Sequence, residues 1–67
     1  MKLSGQTVRF HLGQIPALGN VDAGVIIGLT SSGAALCKAM AECDVSEEDV
    51  PADCAELVAY MKQHGFI

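Results

Sequence analysis

Between Ala23 and Cys37 the chain carries no charged residue. An uncharged stretch of this kind must be hidden from water, and only a few folds can hide it. It has 15 residues, short of the roughly 20 that a membrane-spanning helix needs. Thr30, Ser31, Ser32 and Gly33 also interrupt it in the middle. Two elements joined by a cap explain it better than one. Val25, Ile26, Ile27, Gly28 and Leu29 form a short apolar run with β-branched residues, which reads as a strand. That strand is either covered on both faces or has an outer face that awaits a partner. Thr30 to Ser32 supply side-chain oxygens suited to a helix N-cap. Gly33 to Glu42, rich in Ala, Leu and Met, then reads as a first helix with Leu36 and Met40 one turn apart.

The residues before this stretch favour a sheet. From Thr7 to Leu12 apolar and polar side chains alternate, with Val8, Phe10 and Leu12 in one phase and His11 in the other. This is the period of a half-buried strand, and Gly13 closes it. Gln14 to Leu18 reads as a second, weaker strand. Pro16 lacks an N–H, so this strand is expected at an edge or irregular. Gly19, Asn20, Asp22 and Gly24 provide turn chemistry before the third strand.

The residues after it favour helices. Ser46 followed by Glu47, Glu48 and Asp49 resembles a helix start, with acids where the positive end of the dipole favours them. Pro51 cuts this second helix short and suits the opening of a third. The third is expected to run to about His64, with Val50, Cys54, Leu57, Val58 and Met61 on one face. Gly65 is a good C-cap, and Phe66 and Ile67 are expected to fold back onto the core. The expected fold class is α+β: one domain over residues 1–67, a three-stranded antiparallel sheet followed by three helices.

Charge narrows the function. The formal net charge is −4, and seven of the eight acidic residues lie at or after Glu42. Four Lys and Arg residues without a cluster give little purchase on phosphate backbones and no polybasic membrane anchor. Neither nucleic acid nor membrane is an expected partner. Cys37, Cys43 and Cys54 are odd in number, and no C-x-x-C pair occurs, so neither a disulfide framework nor a zinc or redox motif is indicated. No basic region followed by a long apolar run opens the chain. The expected compartment is the cytoplasm, with the cysteines as small buried hydrophobes.

Catalytic candidates are few. His11 and His64 are the only histidines, and no cysteine sits in a nucleophile elbow. Glu47, Glu48 and Asp49 are better read as a solvated helix start than as a metal or acid–base site. Gly24-x3-Gly28 lacks the Lys-Ser/Thr of a phosphate loop. A domain of this size also has little room for an active site with a supporting shell. No enzymatic activity, catalytic residue, metal or cofactor is expected.

The positive indication is the third strand. At a sheet edge, its free N–H and C=O groups are a template for another chain, and it has neither the Lys nor the Pro that guards such edges. Gly28 marks a bulge or a place where another backbone comes close.

Gly24-Val-Ile-Ile-Gly-Leu-Thr30, Gly33-Ala-Ala-Leu36, the acidic turn from Asp44 to Asp49 and the closing His64-Gly-Phe-Ile67 together resemble the PqqD-like family of peptide chaperones. The resemblance covers about the last 44 residues; Pro16 departs from the family's regular hairpin. It implies a winged-helix-like domain, a RiPP recognition element, that binds the leader segment of a ribosomally made precursor peptide. Such domains present the leader to a modifying enzyme, often a radical S-adenosylmethionine protein. The family's leader adds as a strand beside the third strand, against the last helix. On this chain that implies Val25, Ile26, Ile27, Gly28 and Leu29 on the strand. Glu56, Tyr60 and Gln63 are the candidates on the helix, with Tyr60 an apt anchor because its ring is apolar and its tip polar. Two alternatives are a winged-helix nucleic-acid binder, which the acidic helices disfavour, and a non-catalytic subunit that stabilises a larger enzyme through the same edge.

Overall fold

Gly13 sits at φ 63° with Gln14 beside it, and this two-residue connection folds the N-terminal segment into a tight hairpin. Glycine at the first central position is what such a turn requires, because its twist matches that of the strands. The computed structural model describes residues Met1–Ile67. Strand β1 is Thr7–Leu12, β2 is Ile15–Asn20 and β3 is Val25–Gly28. They form one antiparallel sheet in the order β1-β2-β3. Helix α1 spans Ser31–Glu42 and helix α2 Ala55–Gln63; between them lie two single 3₁₀ turns, Glu47–Asp49 and Ala52–Cys54. No helix is long and apolar enough to cross a membrane.

The α+β class and the three-stranded antiparallel sheet agree with the sequence reading. The three helices do not, since there are two. Ser46 does cap, accepting from the Glu48 N–H, but the segment makes one 3₁₀ turn before Pro51. Pro51 opens a second such turn, and α2 begins only at Ala55. A lone turn gains too few hydrogen bonds to offset the ordering of its backbone and propagate as α-helix. Helix α1 starts two residues earlier than expected, at Ser31, because Thr30 supplies the cap: its Oγ1 accepts from the Gly33 N–H at 3.1 Å.

The second strand also differs. It runs to Asn20, is regular, and lies at the centre rather than an edge. Its register explains how Pro16 is accommodated. The Pro16 carbonyl accepts from the Leu29 N–H at 2.8 Å. A residue's N–H and C=O point to the same side of a strand. The missing N–H therefore faces β3 at the last rung of the ladder, just where β3 ends.

The core lies between the sheet and the helices. Leu18, Cys37, Met40, Cys54, Met61 and Phe66 are buried within 1% of full exclusion. Val25, Ile27, Leu29 and Leu57 pack at its margin. Phe66 folds back as expected, and the Thr7 hydroxyl and the Ser4 N–H both donate to its carbonyl at 2.8 Å. Gly65, at φ 78°, makes the reversal possible.

Strand β1 meets this core with the phase opposite to the expected one. Register places Arg9, Leu18 and Ile27 in one row and Val8, Gly19 and Ile26 in the next. Since Leu18 is buried, Thr7, Arg9 and His11 take the helix side. Val8, Phe10 and Leu12 face outward, where Val8 and Leu12 remain about half exposed. The inward phase is used by Thr7, which ties the C-terminal tail, and by Arg9 and His11, which line a groove of about 370 Å³ with Ala34, Cys37 and Lys38.

Candidate functional site

The free edge of β3 follows from the β2–β3 ladder. Because Leu29 bonds to Pro16, the alternation of an antiparallel pair gives the rungs Leu18–Ile27 and Asn20–Val25 to β2. The main-chain groups of Ile26 and Gly28 therefore point away from the sheet. No turn or loop hydrogen bond reaches them. The opposite edge, along β1, is flanked by Arg9 and His11 in the strand, with Lys38 near by in the same groove. Charged side chains blunt an edge against pairing, and only the β3 edge lacks them.

Helix α2 is held to the rest of the fold at two points. At one end the Leu57 side chain lies 2.9 Å, and the Leu29 Cβ 3.8 Å, from where a Cβ on Gly33 would stand. At the other end the Asn20 side-chain amide donates to the His64 and Gly65 carbonyls, both at 3.0 Å, and Asn20 is the register partner of Val25. The helix therefore runs antiparallel to β3, from the Leu29 end to the Val25 end. Val58 and Met61 face the core. Ala55, Ala59 and Lys62 face the Glu47–Pro51 turn, where Lys62 pairs with Glu47. Leu57, Tyr60 and His64 lie on the opposite flank, with Leu57 at the core margin and the Tyr60 and His64 rings in contact.

The sequence-derived residues separate on this frame. Val25 and Ile27 bond to β2 and turn half-buried side chains to the core. Ile26 and Gly28 carry the open main chain. Leu29 lies one residue past the strand, and its N–H is already used by Pro16. Tyr60 is 37% exposed, with its ring 4.1 Å from that of His64 and 6.5 Å from that of Phe66. It is braced on two sides and open on a third. Glu56 and Gln63 are exposed on α2. Leu57 packs at the core margin beside Gly33, and His64 lies against the Tyr60 ring.

Gly28 is not required by internal packing. A Cβ there would meet only Ile15 Cγ2, at an ordinary 3.5 Å. Its bareness leaves open space over the free edge instead.

Electrostatics divide the molecule. Asp22 lies in the β2–β3 turn and Glu56 in α2. The cations Lys2, Arg9 and Lys38 are associated with β1 and α1, and Lys62 is paired on the far flank. No basic patch accompanies either helix.

The thiols have distinct surroundings. Cys37 and Cys54 are buried and Cys43 is exposed, so the expectation of buried cysteines holds for two of three. Burial, with Cys54 close by, pushes the Cys37 thiol up to about 11. A thiol held neutral is a poor nucleophile at physiological pH. Cys43 Sγ donates to the Ala39 carbonyl at 3.3 Å. No three His, Cys, Asp or Glu side chains gather in a group that could hold a metal ion.

No family model, curated protein or solved structure matches the chain.

Proposed function

We propose that the chain is a peptide-binding module of the RiPP recognition element type. It would bind the leader segment of a ribosomally made precursor peptide as a fourth strand along β3. It would then present that peptide to a modifying enzyme, such as a radical S-adenosylmethionine protein, in the cytoplasm. The supporting observation is the unguarded β3 edge, where the main-chain groups of Ile26 and Gly28 face away from the sheet. Main-chain bonding to Ile26 and Gly28 gives affinity with little demand on sequence, and alternate leader side chains find pockets for specificity. One set of those side chains would fall toward Leu57, Tyr60 and His64.

The module performs no chemistry in this reading. Its contribution is to raise the local concentration of the peptide at the partner's active site. Relation to winged-helix domains belongs to the same proposal. The nucleic-acid alternative is disfavoured by the acids of the helical half and the lack of a cationic surface on either helix.

The test is an NMR titration of the isotope-labelled chain with leader segments of short peptides encoded beside it. Amide shifts concentrated at Ile26, Gly28, Leu57, Tyr60 and His64 are expected. A folded chain that shifts with none of several leaders overturns the proposal.

A further inference from the structure

Strand β1 turns its polar phase to the helix side, and beyond Thr7 that side is not filled. Arg9 and His11, two residues apart, stand about 7 Å from each other along the strand. Helix α1 faces them with Ala34 and, one turn on, Lys38. A groove of about 370 Å³ is left between the hairpin and α1, and Pro16 and Leu29 add to its apolar lining.

The groove carries charge of one sign. Arg9, His11 and Lys38 line it, and no Asp or Glu does. In a chain of net charge −4, two of the four Lys and Arg residues thus meet at one place. Neither is spent on holding the fold. The protein's two ion pairs join Met1 to Asp44 and Lys62 to Glu47. Glu42, one turn past Lys38 on α1, enters neither. Arg9, His11 and Lys38 are all exposed residues, so their polar ends are free to turn to a ligand. Protection of the β1 edge accounts for charge on the strand. It does not account for a cation supplied by the helix, or for an apolar hollow between the two.

We propose that this groove binds a small organic carboxylate, an acid with an aromatic or aliphatic body. The planar Arg9 guanidinium matches a carboxylate with two parallel N–H donors. Lys38 adds a donor from the helix wall and His11 one from the same strand. The body of the ligand lies against Pro16, Leu29 and Ala34. The volume falls within the range of small-molecule sites, roughly 300–1,000 Å³. Charge and lining select together. Inorganic phosphate can meet the cations but gains nothing from the apolar walls, and a neutral amide gains nothing from the cations. Neither Ile26 nor Gly28 lines the groove, so the site is separate from the free edge of β3.

An NMR titration of the labelled full chain with phenylacetate, and another with octanoate, tests this. Saturable amide shifts centred on Arg9, His11, Ala34 and Lys38 are expected, with a Kd on the order of 1 mM. Phenylacetamide and inorganic phosphate should each bind at least about tenfold more weakly. Arg9→Gln and Lys38→Gln, both at exposed positions, should each weaken phenylacetate about three- to fivefold while the spectrum stays that of the folded chain. Ala34→Leu should weaken it as well, by filling the groove with no change of charge. Lys62→Gln, on the far flank, should leave it intact. Absence of saturable shifts with both acids overturns the proposal. So does phenylacetamide or phosphate binding as tightly as phenylacetate, or Arg9→Gln binding as the unaltered chain does. The outcome is independent of leader binding, which reads out at Ile26 and Gly28.

Discussion

Asn20 and Gly65 are joined by a hydrogen bond from the Asn20 side-chain amide to the Gly65 carbonyl at 3.0 Å. The same amide donates to the His64 carbonyl, and its oxygen accepts from the N–H groups of Asp22 and Ala23. One buried side chain thus orders the β2–β3 turn and fastens the end of α2 to the sheet. Asn20 is the only buried polar residue in the protein, and all four of its bonds are made.

Replacing Asn20 by Ala removes four hydrogen bonds at once, although the Gly65 carbonyl keeps its bond from the Ser4 hydroxyl. A loss of about 2–4 kcal/mol in unfolding free energy is expected, since each hydrogen bond contributes about 1 kcal/mol. Asn20→Asp removes both donors and sets a carboxylate against two carbonyl oxygens, so it should be more harmful at neutral than at acidic pH. Urea unfolding at two pH values measures both effects. A loss under about 0.5 kcal/mol for Asn20→Ala would mean that the turn holds without its side chain.

Gly65→Ala tests the same joint from the other side. At φ 78° any L side chain is strained, and the new Cβ would stand 3.0 Å from Asn20 Nδ2. Strain alone is worth about 1–2 kcal/mol, and displacement of the amide adds to it. In a double-mutant cycle the Gly65→Ala and Asn20→Ala losses should sum to more than the double mutant shows, because both break one joint.

Gly28→Pro separates edge pairing from stability. Proline is tolerated on an edge strand where its N–H would face solvent, so the melting temperature should move little. Leader affinity should fall at least about tenfold, since a donor is lost and the ring obstructs the incoming strand. Tyr60→Ala should weaken binding as well, and Glu48→Ala should not. Calorimetric titration of the three variants decides between an edge-bound peptide and one bound elsewhere.

The Cys37 thiol gives a pH signature. Its folded value is raised from 9.0 to about 11, so the folded state favours the neutral thiol. That contribution to stability is complete below pH 9 and is lost as pH rises toward about 11, by on the order of 2–3 kcal/mol. Cys37→Ala lowers stability at neutral pH through lost packing, but its decline above pH 9 should be shallower than that of the unaltered chain. In native protein at pH 8, a thiol reagent should modify Cys43 quickly and spare Cys37 and Cys54. Comparable reaction at all three would contradict the buried packing.

Much of the fold was legible in the residues themselves. Thr30 and Ser46 act as caps, Gly13, Gly24 and Gly65 take positive φ, and Val58 and Met61 form the buried stripe of α2, continued by Cys54 just before it. These depend on neighbours a few residues away, where local sterics and single hydrogen bonds decide. The third strand, too, was marked by its lack of charge. Helix count was misjudged because capping residues signal a start and not a length. The turn at Glu47–Asp49 has the chemistry of a helix start but no buried face to propagate on.

The sequence by itself determined the α+β class, the sheet-then-helix order and the acidic helical half, since composition, period and turn residues are local properties. It did not determine which phase of β1 faces the helices. Alternation is symmetric, and only the register with Leu18 and the tie from Thr7 to Phe66 chose the side that leaves Val8, Phe10 and Leu12 outside. Nor did it place Pro16 in a central strand, which depends on where β3 ends. The seating of α2 against the rest of the fold is likewise tertiary. It rests on Asn20 and Gly33, residues distant in the chain, whose contacts with the end and flank of α2 exist only once the sheet and the helices have packed.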